Sequence, residues 1–360
     1  MTVPLDELLR KMMDVEASDV HLKVGSPPVM RIDGDLHPTS LPTLTPQDTE
    51  SYAQGILTPR AAAEFAENSE ADFAYGKSDL GRFRVNVFRQ RGSVSLVLRQ
   101  VLPSTRSFEN LGLPPILNKL SNEPRGLVLV TGPTGSGKTT TLASMVDFIN
   151  STKRVNILTI EDPIEVLHSD KMAIVAQREV GSDTKDFSEA LKRVLRQDPD
   201  VIMIGEMRDA ETVKAALKAA ETGHLVLSSL HTIDATETIN RIVDFFPPYQ
   251  QRQIRLLLAG TLRGVISQRL LERADGHGRV PAIEVMTMNA RVFDRIVEEG
   301  QTHTLADVIG ESEFYGMQTF DSSILQLFKK GLISFQEAQS NASNPHDMRV
   351  RAEQAGLVGV

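Results

Sequence analysis

One octapeptide constrains this 360-residue chain more than any other feature. Residues 132–139 read GPTGSGKT and fit the pattern G-x-x-x-x-G-K-[ST] in full. An apolar run at 126–131 precedes the octapeptide, and a helical pattern at 140–150 follows it. A strand, a glycine-rich turn and a helix in this order are the context in which such a loop wraps phosphate groups. The sequence therefore predicts an α/β sheet with a phosphate-binding loop rather than an accidental glycine-rich turn.

The residue types in this loop suit ATP bound with Mg²⁺. Glycines let backbone N–H groups curl around phosphates, and the following helix adds its positive amino end. We expect Lys138 to reach the β and γ oxygens and the Thr139 hydroxyl to hold Mg²⁺. The predicted nucleotide contacts in this segment are Gly132, Pro133, Thr134, Gly135, Ser136, Gly137, Lys138, Thr139 and Thr140.

Three further chemical groups follow apolar runs that are typical of buried strands. These are Glu161 after 155–160, Glu206 after 201–204 and His231 after 225–230. Because open α/β sheets bind ligands at the carboxyl ends of their strands, we expect all three near the loop. Glu206 is expected to polarise the attacking water, and Glu161 to bind Mg²⁺ through water or position the nucleophile. His231 is expected to sense the γ-phosphate or bridge to a neighbour. Surface glutamates and a structural histidine are the alternatives.

The first hundred residues have a different pattern, which predicts a small α+β domain. Residues 20–24 and 82–88 alternate polar and apolar side chains, as half-buried strands do. Threonine–proline pairs at 45–46 and 58–59 predict the starts of two helices. From residue 248 onward the pattern is helical, with one strand predicted at 282–285.

Several arginines lie on or beside the strands of this first domain: Arg82, Arg84, Arg89, Arg91 and Arg99. A solvated face is the ordinary interpretation of such a run. However, transfer of a γ-phosphate commonly uses a guanidinium supplied from outside the phosphate loop. A cation supplied by the next subunit would make a heterologous contact, and such contacts close into rings.

Composition excludes several classes of protein. Apolar residues make up 41% and charged residues 24%, which is ordinary for a globular chain. The sequence has no cysteine, so disulfides, thiol nucleophiles and cysteine-ligated metals are excluded. A net charge of −8 disfavours nucleic acid as the main partner. No apolar run reaches the ~18 residues of a membrane span, and the start resembles an amphipathic helix rather than a signal peptide. We therefore expect a cytoplasmic protein.

Six segments together resemble the PilT/PilU-type retraction ATPases of type IV pili, members of the secretion-ATPase superfamily. They are ASDVHL at 17–22, GRFRVNVFRQRG at 81–92, GPTGSGKT at 132–139, ILTIEDPIEVLH at 157–168, LRQDPDVIMIGEMRD at 195–209 and TGHLVLSSLHT at 222–232. The resemblance covers nearly the whole chain, and MQTFD at 317–321 also resembles the family's C-terminal segment.

The resemblance implies an α/β fold with a PAS-like N-terminal domain (1–100), a linker (101–115) and a RecA-like ATPase domain with C-terminal helices (116–360). It further implies a homohexameric ring attached peripherally at the cytoplasmic face of the inner membrane. There it would drive pilus disassembly through a platform membrane protein. Whether a second pilus ATPase is also a partner stays open, and nucleic acid is not expected as a partner.

The resemblance also implies roles for single residues. Lys138 and Thr139 match the Walker A residues, and Glu206 matches the catalytic Walker B glutamate. Glu161 matches the acid of the Asp box. Four further positions match known elements of the family: His224 and His231 of the His box, and Arg84 and Arg99, which reach a nucleotide across the subunit interface. The implied metal contacts are Thr139, Glu161 and Glu206.

One segment departs from the retraction ATPases. They typically carry A-I-R-N-L-I-R-E near the C-terminus, an element required for retraction but not for hydrolysis. Residues 290–298 read ARVFDRIVE here, a poor match. A PilU-like accessory motor therefore stays open. So does a pilus-assembly or type II secretion ATPase, although those relatives usually have an extra domain and a tetracysteine zinc module.

Three other classes of protein also fit parts of the sequence. A small-molecule kinase would use the loop but leave the arginine-bearing domain without a role. A nucleotide-gated interaction subunit with little turnover would suit a chain that works beside a second motor. A DNA-translocating ring is disfavoured by the acidic balance.

Overall fold

The structure is a computed structural model that describes residues 3–32, 34–77, 79–101 and 105–357. The described chain divides into two compact units. The first contains the described residues up to 101 together with 165–167, and the second contains 105–164 and 168–357. Of the predicted linker at 101–115, residues 102–104 lie outside the described residues. The boundaries 1–100, 101–115 and 116–360 stay a prediction.

The first unit is an α+β unit built on an antiparallel sheet. Its elements are α1 (Leu5–Asp14), β1 (Asp19–Leu22), β2 (Val29–Ile32), β3 (Asp35–Pro38), α2 (Pro46–Ile56), α3 (Pro59–Asn68), β4 (Glu70–Lys77), β5 (Gly81–Gln90) and β6 (Ser93–Val101). The strand order is β3-β2-β1-β6-β5-β4. The two predicted helix starts are confirmed: the hydroxyls of Thr45 and Thr58 each accept a backbone N–H three residues on, and proline follows each.

Strand β5 shows why its arginines are available for chemistry. Phe83, Val85 and Val87 are buried in the core of the unit. Because successive side chains of a strand point to opposite faces, Arg84 and Asn86 lie on the other face. Both are partly exposed.

The second unit begins with α4 and alternates strands and helices before a helical C-terminal part. Its elements are α4 (Ile116–Ser121), β7 (Gly126–Thr131), α5 (Lys138–Thr152), β8 (Asn156–Glu161), β9 (Ile174–Glu179), α6 (Phe187–Val194), β10 (Val201–Ile204), α7 (Ala210–Glu221), β11 (Leu225–Leu230), α8 (Ala235–Asp244), α9 (Pro248–Thr261), β12 (Leu262–Glu272), β13 (Arg279–Thr287), α10 (Ala290–Val297), α11 (Leu305–Gly310), α12 (Phe320–Lys329), α13 (Phe335–Asn341) and α14 (Pro345–Gln354).

These strands form one sheet in the order β13-β12-β7-β11-β10-β8-β9. Neighbouring strands are parallel from β12 to β9, and β13 is antiparallel to β12. Both faces are covered: Leu127 and Leu129 of β7 belong to one apolar core, whereas Val128 and Val130 belong to another. A strand buried on both faces needs a continuous apolar run, which is why β7, β10 and β11 were recognisable in the sequence.

Two strands differ from the sequence-based expectation. The prediction of helix throughout 248–281 was wrong, because α9 ends at Thr261 and β12 begins at Leu262. The helical stripe that ends at Leu262 continues directly into apolar residues of the strand, so the sequence carries no break there. Strand β9 was also not predicted. It is an edge strand with a largely exposed first half, so it lacks a long apolar run.

Strand β12 also anchors the C-terminal helices. The guanidinium of Arg269 lies 4.1 Å from the ring centroid of Phe320 in α12. Phe320, Ile324 and Leu327 pack with Leu271 of β12 in a small core of their own. Within the part of the chain that is described, none of the helices combines the length and the apolar character that crossing a bilayer requires.

Candidate functional site

The predicted phosphate loop connects the end of β7 to the start of α5. Gly132 has φ +146°, and a Cβ atom there would lie 2.3 Å from the carbonyl oxygen of Gln268. Gly137 has φ +88° and precedes the first residue of α5. Only glycine adopts these backbone angles at such close approach without strain. The loop therefore has the tight, backbone-lined shape that phosphate groups require.

Lys138 folds back over this loop. Its ammonium Nζ donates to the carbonyl of Gly132 at 2.8 Å and to that of Pro133 at 3.0 Å. The lysine is buried, whereas Thr139 and Thr140 beside it at the start of α5 are exposed. The amino end of a 15-residue helix and one lysine thus converge on an accessible loop.

The structure brings Glu206 and His231 together with Lys138. His231 Nδ1 lies 3.4 Å from Lys138 Nζ, and its Nε2 lies 3.0 Å from Glu206 Oε1. A lysine ammonium can only donate, so Nδ1 accepts and the ring hydrogen is on Nε2, from which it is donated to Glu206. Arg208 Nε donates to the second carboxylate oxygen at 2.9 Å. Glu206 is thereby fixed in orientation from two sides.

Glu161 reaches the same edge of the sheet from β8. Strands β8 and β10 are parallel with Ile160 opposite Ile204, so both acids leave their strands at the carboxyl end. Glu161 is only 5% exposed, and its Oε1 accepts from Thr159 Oγ1 at 2.6 Å and Gln177 Nε2 at 3.0 Å. Two donors on one oxygen fix the direction of the carboxylate.

His224 lies elsewhere. It comes directly before β11, whereas His231 comes directly after it. A six-residue strand is roughly 20 Å long, so His224 is at the opposite end of the strand from the phosphate loop. Its Nδ1 is 3.0 Å from the Ala219 carbonyl oxygen. Its predicted contact with a nucleotide stays a prediction.

Arg84 and Arg99 lie side by side in the first unit. They are directly opposite each other in the register of β5 and β6. Arg84 Nη1 is 3.4 Å from Glu165 Oε1, and Arg99 Nε donates to Asp19 Oδ1 at 2.7 Å. The Asp19 side chain is 4% exposed, whereas that of Arg99 is 61% exposed. A buried carboxylate therefore holds one edge of an otherwise accessible guanidinium.

The pKa of Asp19 is consistent with this pairing. Burial raises it, but hydrogen bonds from Ser18 and Arg99 and the charge of Arg99 outweigh burial, so the pKa lies below its ordinary value. Asp19 is thus ionised at neutral pH and keeps its attraction for Arg99.

A buried acid, Glu284 of β13, supports the segment that follows β11. Its Oε1 accepts from the backbone N–H of Ala235 at 2.9 Å, at the start of α8. The residue is 7% exposed. The pKa of Glu284 is raised to about 7, chiefly by burial. The charge of Asp234 also raises this pKa, whereas the N–H of Ala235 and the charge of Arg269 lower it.

This carboxyl group predicts a pH-dependent stability. The pKa of Glu284 is about 7 in the folded chain, against 4.5 when unperturbed. Its stabilising contribution is complete below pH 4.5 and is lost as pH rises to about 7, because only the unfolded chain ionises there. Glu284→Gln keeps an acceptor for Ala235 but cannot ionise. We expect the free energy of unfolding of the variant to exceed that of the wild type by an amount that grows between pH 5 and pH 8, up to roughly 3 kcal/mol. Urea unfolding at several pH values measures this gain, and a constant difference across that range contradicts it.

Comparisons with known proteins agree with this geometry. The family model described as "Type II/IV secretion system protein" matches residues 3–349. The chain belongs to this family. In Pseudomonas aeruginosa, the "Type IV pilus retractation ATPase PilT" is 43% identical over 343 residues, which cover 95% of this chain and 99% of that protein. The "Type IV pilus ATPase PilU" of the same organism is 40% identical, over 96% of this chain and 90% of that protein.

Solved structures agree as well. The "Crystal Structure of the Pilus Retraction Motor PilT and Bound ADP" superposes with a TM-score of 0.89 at 45% identity, and covers 97% of this chain and 100% of that one. The "X-ray structure of the Legionella pneumophila ATPase DotB" gives 0.75 at 28% identity, covering 93% and 94%. The predicted fold class is confirmed as an α/β protein with a RecA-like ATPase domain, a smaller N-terminal domain and a helical C-terminal part. The chain is a nucleotide-binding ATPase of the secretion type.

Sequence reasoning missed two polar residues at the site. Arg208 holds Glu206, and Gln268 contacts the phosphate loop through its side chain. Arg208 comes two residues after Glu206, so its proximity in sequence was a usable signal. Gln268 had a weaker signal, since it lies among the polar residues 267–269 of a segment that was predicted to be helical.

Proposed function

We propose that this ATPase is a motor that hydrolyses ATP to drive retraction of a type IV pilus. The observation that carries the proposal is the 43% identity to a retraction ATPase over 99% of that protein's length. The contacts among Lys138, His231 and Glu206 support a site for hydrolysis of a triphosphate.

Each polar group at the carboxyl edge of the sheet then has a task. Lys138 binds the β and γ phosphate oxygens, and the backbone of the loop binds the remaining ones. Mg²⁺ prefers oxygen ligands, and Thr139, Glu161 and Glu206 offer hydroxyl and carboxylate oxygens that fit it. When bound, the ion supplies neutralisation of phosphate charge. Glu206 orients the attacking water and accepts its proton, while His231 links this acid to Lys138.

We propose that Arg84 and Arg99 complete the site of the next subunit. The two arginines are opposite each other on neighbouring strands and therefore share one face of the sheet. The side chain of Arg99 is largely exposed although it is held by Asp19. Arginines at such a site stabilise the charge that develops on the transferred phosphoryl group. Because each chain would give arginines to one neighbour and receive them from another, the assembly closes into a ring, which we propose is a homohexamer.

Removing one arginine should slow hydrolysis more than it weakens binding. We expect Arg84→Ala and Arg99→Ala each to reduce the turnover rate about tenfold, since the opposite arginine remains, and to leave ATP affinity within about threefold. Phosphate release at saturating ATP and titration with a fluorescent ATP analogue measure the two quantities.

A mixing experiment tests whether the arginines act across subunits. Chains lacking both arginines keep an intact loop, and Lys138→Ala chains keep their arginines. Mixed rings therefore contain some complete sites, and hydrolysis should rise above that of either variant alone. In the control, chains lacking both arginines are mixed with chains that lack the lysine and both arginines. This mixture contains no complete site, so no rise in hydrolysis is expected. Absence of a rise in the first mixture contradicts action in trans.

A ring enzyme also depends on its own concentration. Specific ATPase activity should fall when the purified chain is diluted below the range in which it assembles. A constant specific activity in a sample that light scattering identifies as monomeric would overturn the proposed shared site.

The proposed cellular output is retraction, with the ring bound peripherally at the cytoplasmic face of the inner membrane to a platform protein. Deleting the gene and counting surface pili tests it. Excess pili are expected, and complementation with wild type but not with Glu206→Gln should restore normal numbers. Cells without pili would instead indicate an assembly ATPase.

A second candidate is a PilU-like accessory motor, favoured by 40% identity to PilU and by the divergent segment at 290–298. This segment forms α10 (Ala290–Val297), in which Val292 and Ile296 are buried and Phe293 is exposed. An accessory motor predicts that deletion of the gene leaves retraction intact but weaker under load.

A further inference from the structure

Strand β12 places one side chain directly against the phosphate loop. Gln268 is 1% exposed and lies on β12, beside β7 in the sheet. Its amide nitrogen Nε2 donates to the carbonyl oxygen of Ser136 at 2.6 Å. Its amide oxygen Oε1 accepts from the hydroxyl of Thr141 at 2.9 Å. One amide group thus joins the loop to the first turn of α5.

The contact with Ser136 controls a peptide group that matters for phosphate binding. In a planar trans peptide, the C=O of one residue and the N–H of the next point in opposite directions. A carbonyl of Ser136 that is turned towards Gln268 therefore turns the N–H of Gly137 away from Gln268. Gly137 is the last loop residue before α5 and has φ +88°. Since glycine populates positive and negative φ about equally, its own backbone preference does not fix the orientation of this peptide.

An amide is the side chain that this position requires. The Ser136 carbonyl needs a donor and the Thr141 hydroxyl needs an acceptor, and a glutamine offers both at one end. A glutamate would offer only acceptors when ionised, and a methionine has the length without either function. Space is also limited, since a Cβ atom on Gly137 would lie 3.0 Å from Gln268 Nε2.

We infer that Gln268 is a positioning residue of the nucleotide site, which locks the Ser136–Gly137 peptide in the orientation that presents the Gly137 N–H to a bound phosphate. The inference rests on the proposed function, because it concerns the same loop. The ligand chemistry is the phosphate chain of a nucleotide, which ATP and ADP share.

The test compares nucleotide binding and turnover in Gln268→Met. We expect the Kd for a fluorescent ADP analogue and the KM for ATP to rise about tenfold, since the buried carbonyl loses its donor and the loop its fixed shape. The turnover rate at saturating ATP should stay within about threefold, because Lys138 and Glu206 remain. A residue that only supports the fold would lower the amount of active protein, and hence the turnover rate, without changing the Kd of the folded fraction.

Two controls make the result decisive. Gln318→Met removes another glutamine whose Nε2 donates to a backbone carbonyl, that of Ile283 at 2.7 Å, and should leave the Kd unchanged. Thr141→Val removes the hydroxyl partner of Gln268. If the two act together, the double variant loses less affinity than the sum of the single losses.

Three outcomes separate the proposals. A wild-type Kd in folded Gln268→Met, or additive effects in the double variant, overturns the role of Gln268. Failure of the wild-type chain to bind any adenine nucleotide overturns the proposed function instead. If Gln268→Met unfolds, the Thr141→Val variant still tests the lock, since it should raise the Kd, and an unchanged Kd there contradicts the inference.

Discussion

Replacing Lys138 with alanine is expected to weaken nucleotide binding at least about 100-fold, because charge-assisted hydrogen bonds to phosphate oxygens are lost. In the structure this lysine donates to the carbonyls of Gly132 and Pro133, and both carbonyls lie beside solvent-accessible loop residues. Folding should therefore survive the change. Titration with a fluorescent ATP or ADP analogue measures the affinity, and circular dichroism verifies the fold.

Lys153 offers a matched control for this prediction. It lies at the other end of α5, is partly buried, and donates to the Ser121 carbonyl at 3.1 Å. Lys153→Ala should leave nucleotide affinity within about twofold. Wild-type affinity in folded Lys138→Ala would remove the phosphate loop from the proposed site, and with it the role of every residue whose placement depends on that loop.

Glu206→Gln is expected to keep nucleotide binding while hydrolysis falls about 10³-fold, the range typical for loss of a general base. The amide keeps one oxygen to accept a hydrogen bond, but it cannot take a proton from water. It also places a donor where His231 or Arg208 now donates to the carboxylate. Phosphate release at saturating ATP and the Kd for the nucleotide should therefore separate, with only the rate affected strongly.

The control here is another glutamate close by in sequence. Glu211 lies in α7 and forms an exposed ion pair with Lys192. Glu211→Gln makes the same chemical change outside the site and should leave hydrolysis near that of the wild type. Hydrolysis at the wild-type rate by Glu206→Gln would contradict the assignment of the base and leave Glu161 as the remaining candidate acid.

Most of the candidate site could be predicted because its residues share a rule of topology. The phosphate loop, Glu161, Glu206 and His231 each follow an apolar run, and parallel strands bring their carboxyl ends to one edge. The sequence therefore indicated which groups lie at the same edge of the sheet, but not which contacts they make with one another. It contained no information on the hydrogen bond from His231 to Glu206, since that contact depends on the order of strands in the sheet.

Gln268 could not be predicted because its partners are distant in sequence and its strand was not recognised. Ser136 and Thr141 are more than 120 residues away. The pattern of apolar residues near Leu262 continues that of a helix, but these residues form β12 because the strand pairs with β7 on one side and β13 on the other. The proposed roles of Arg84 and Arg99 depend on a second copy of the chain, which no pattern within one chain can position.

Strand β12 has a mechanical consequence. Two consecutive residues of this strand contact different parts of the unit. Gln268 donates to the phosphate loop, and the guanidinium of Arg269 lies over the ring of Phe320 in the C-terminal helices. Consecutive residues of a strand are about 3.3 Å apart along its axis. A displacement of those helices would therefore act on the residue next to the one that contacts the phosphate loop. Force on the C-terminal helices and the shape of the nucleotide site are thus coupled through one backbone step of β12.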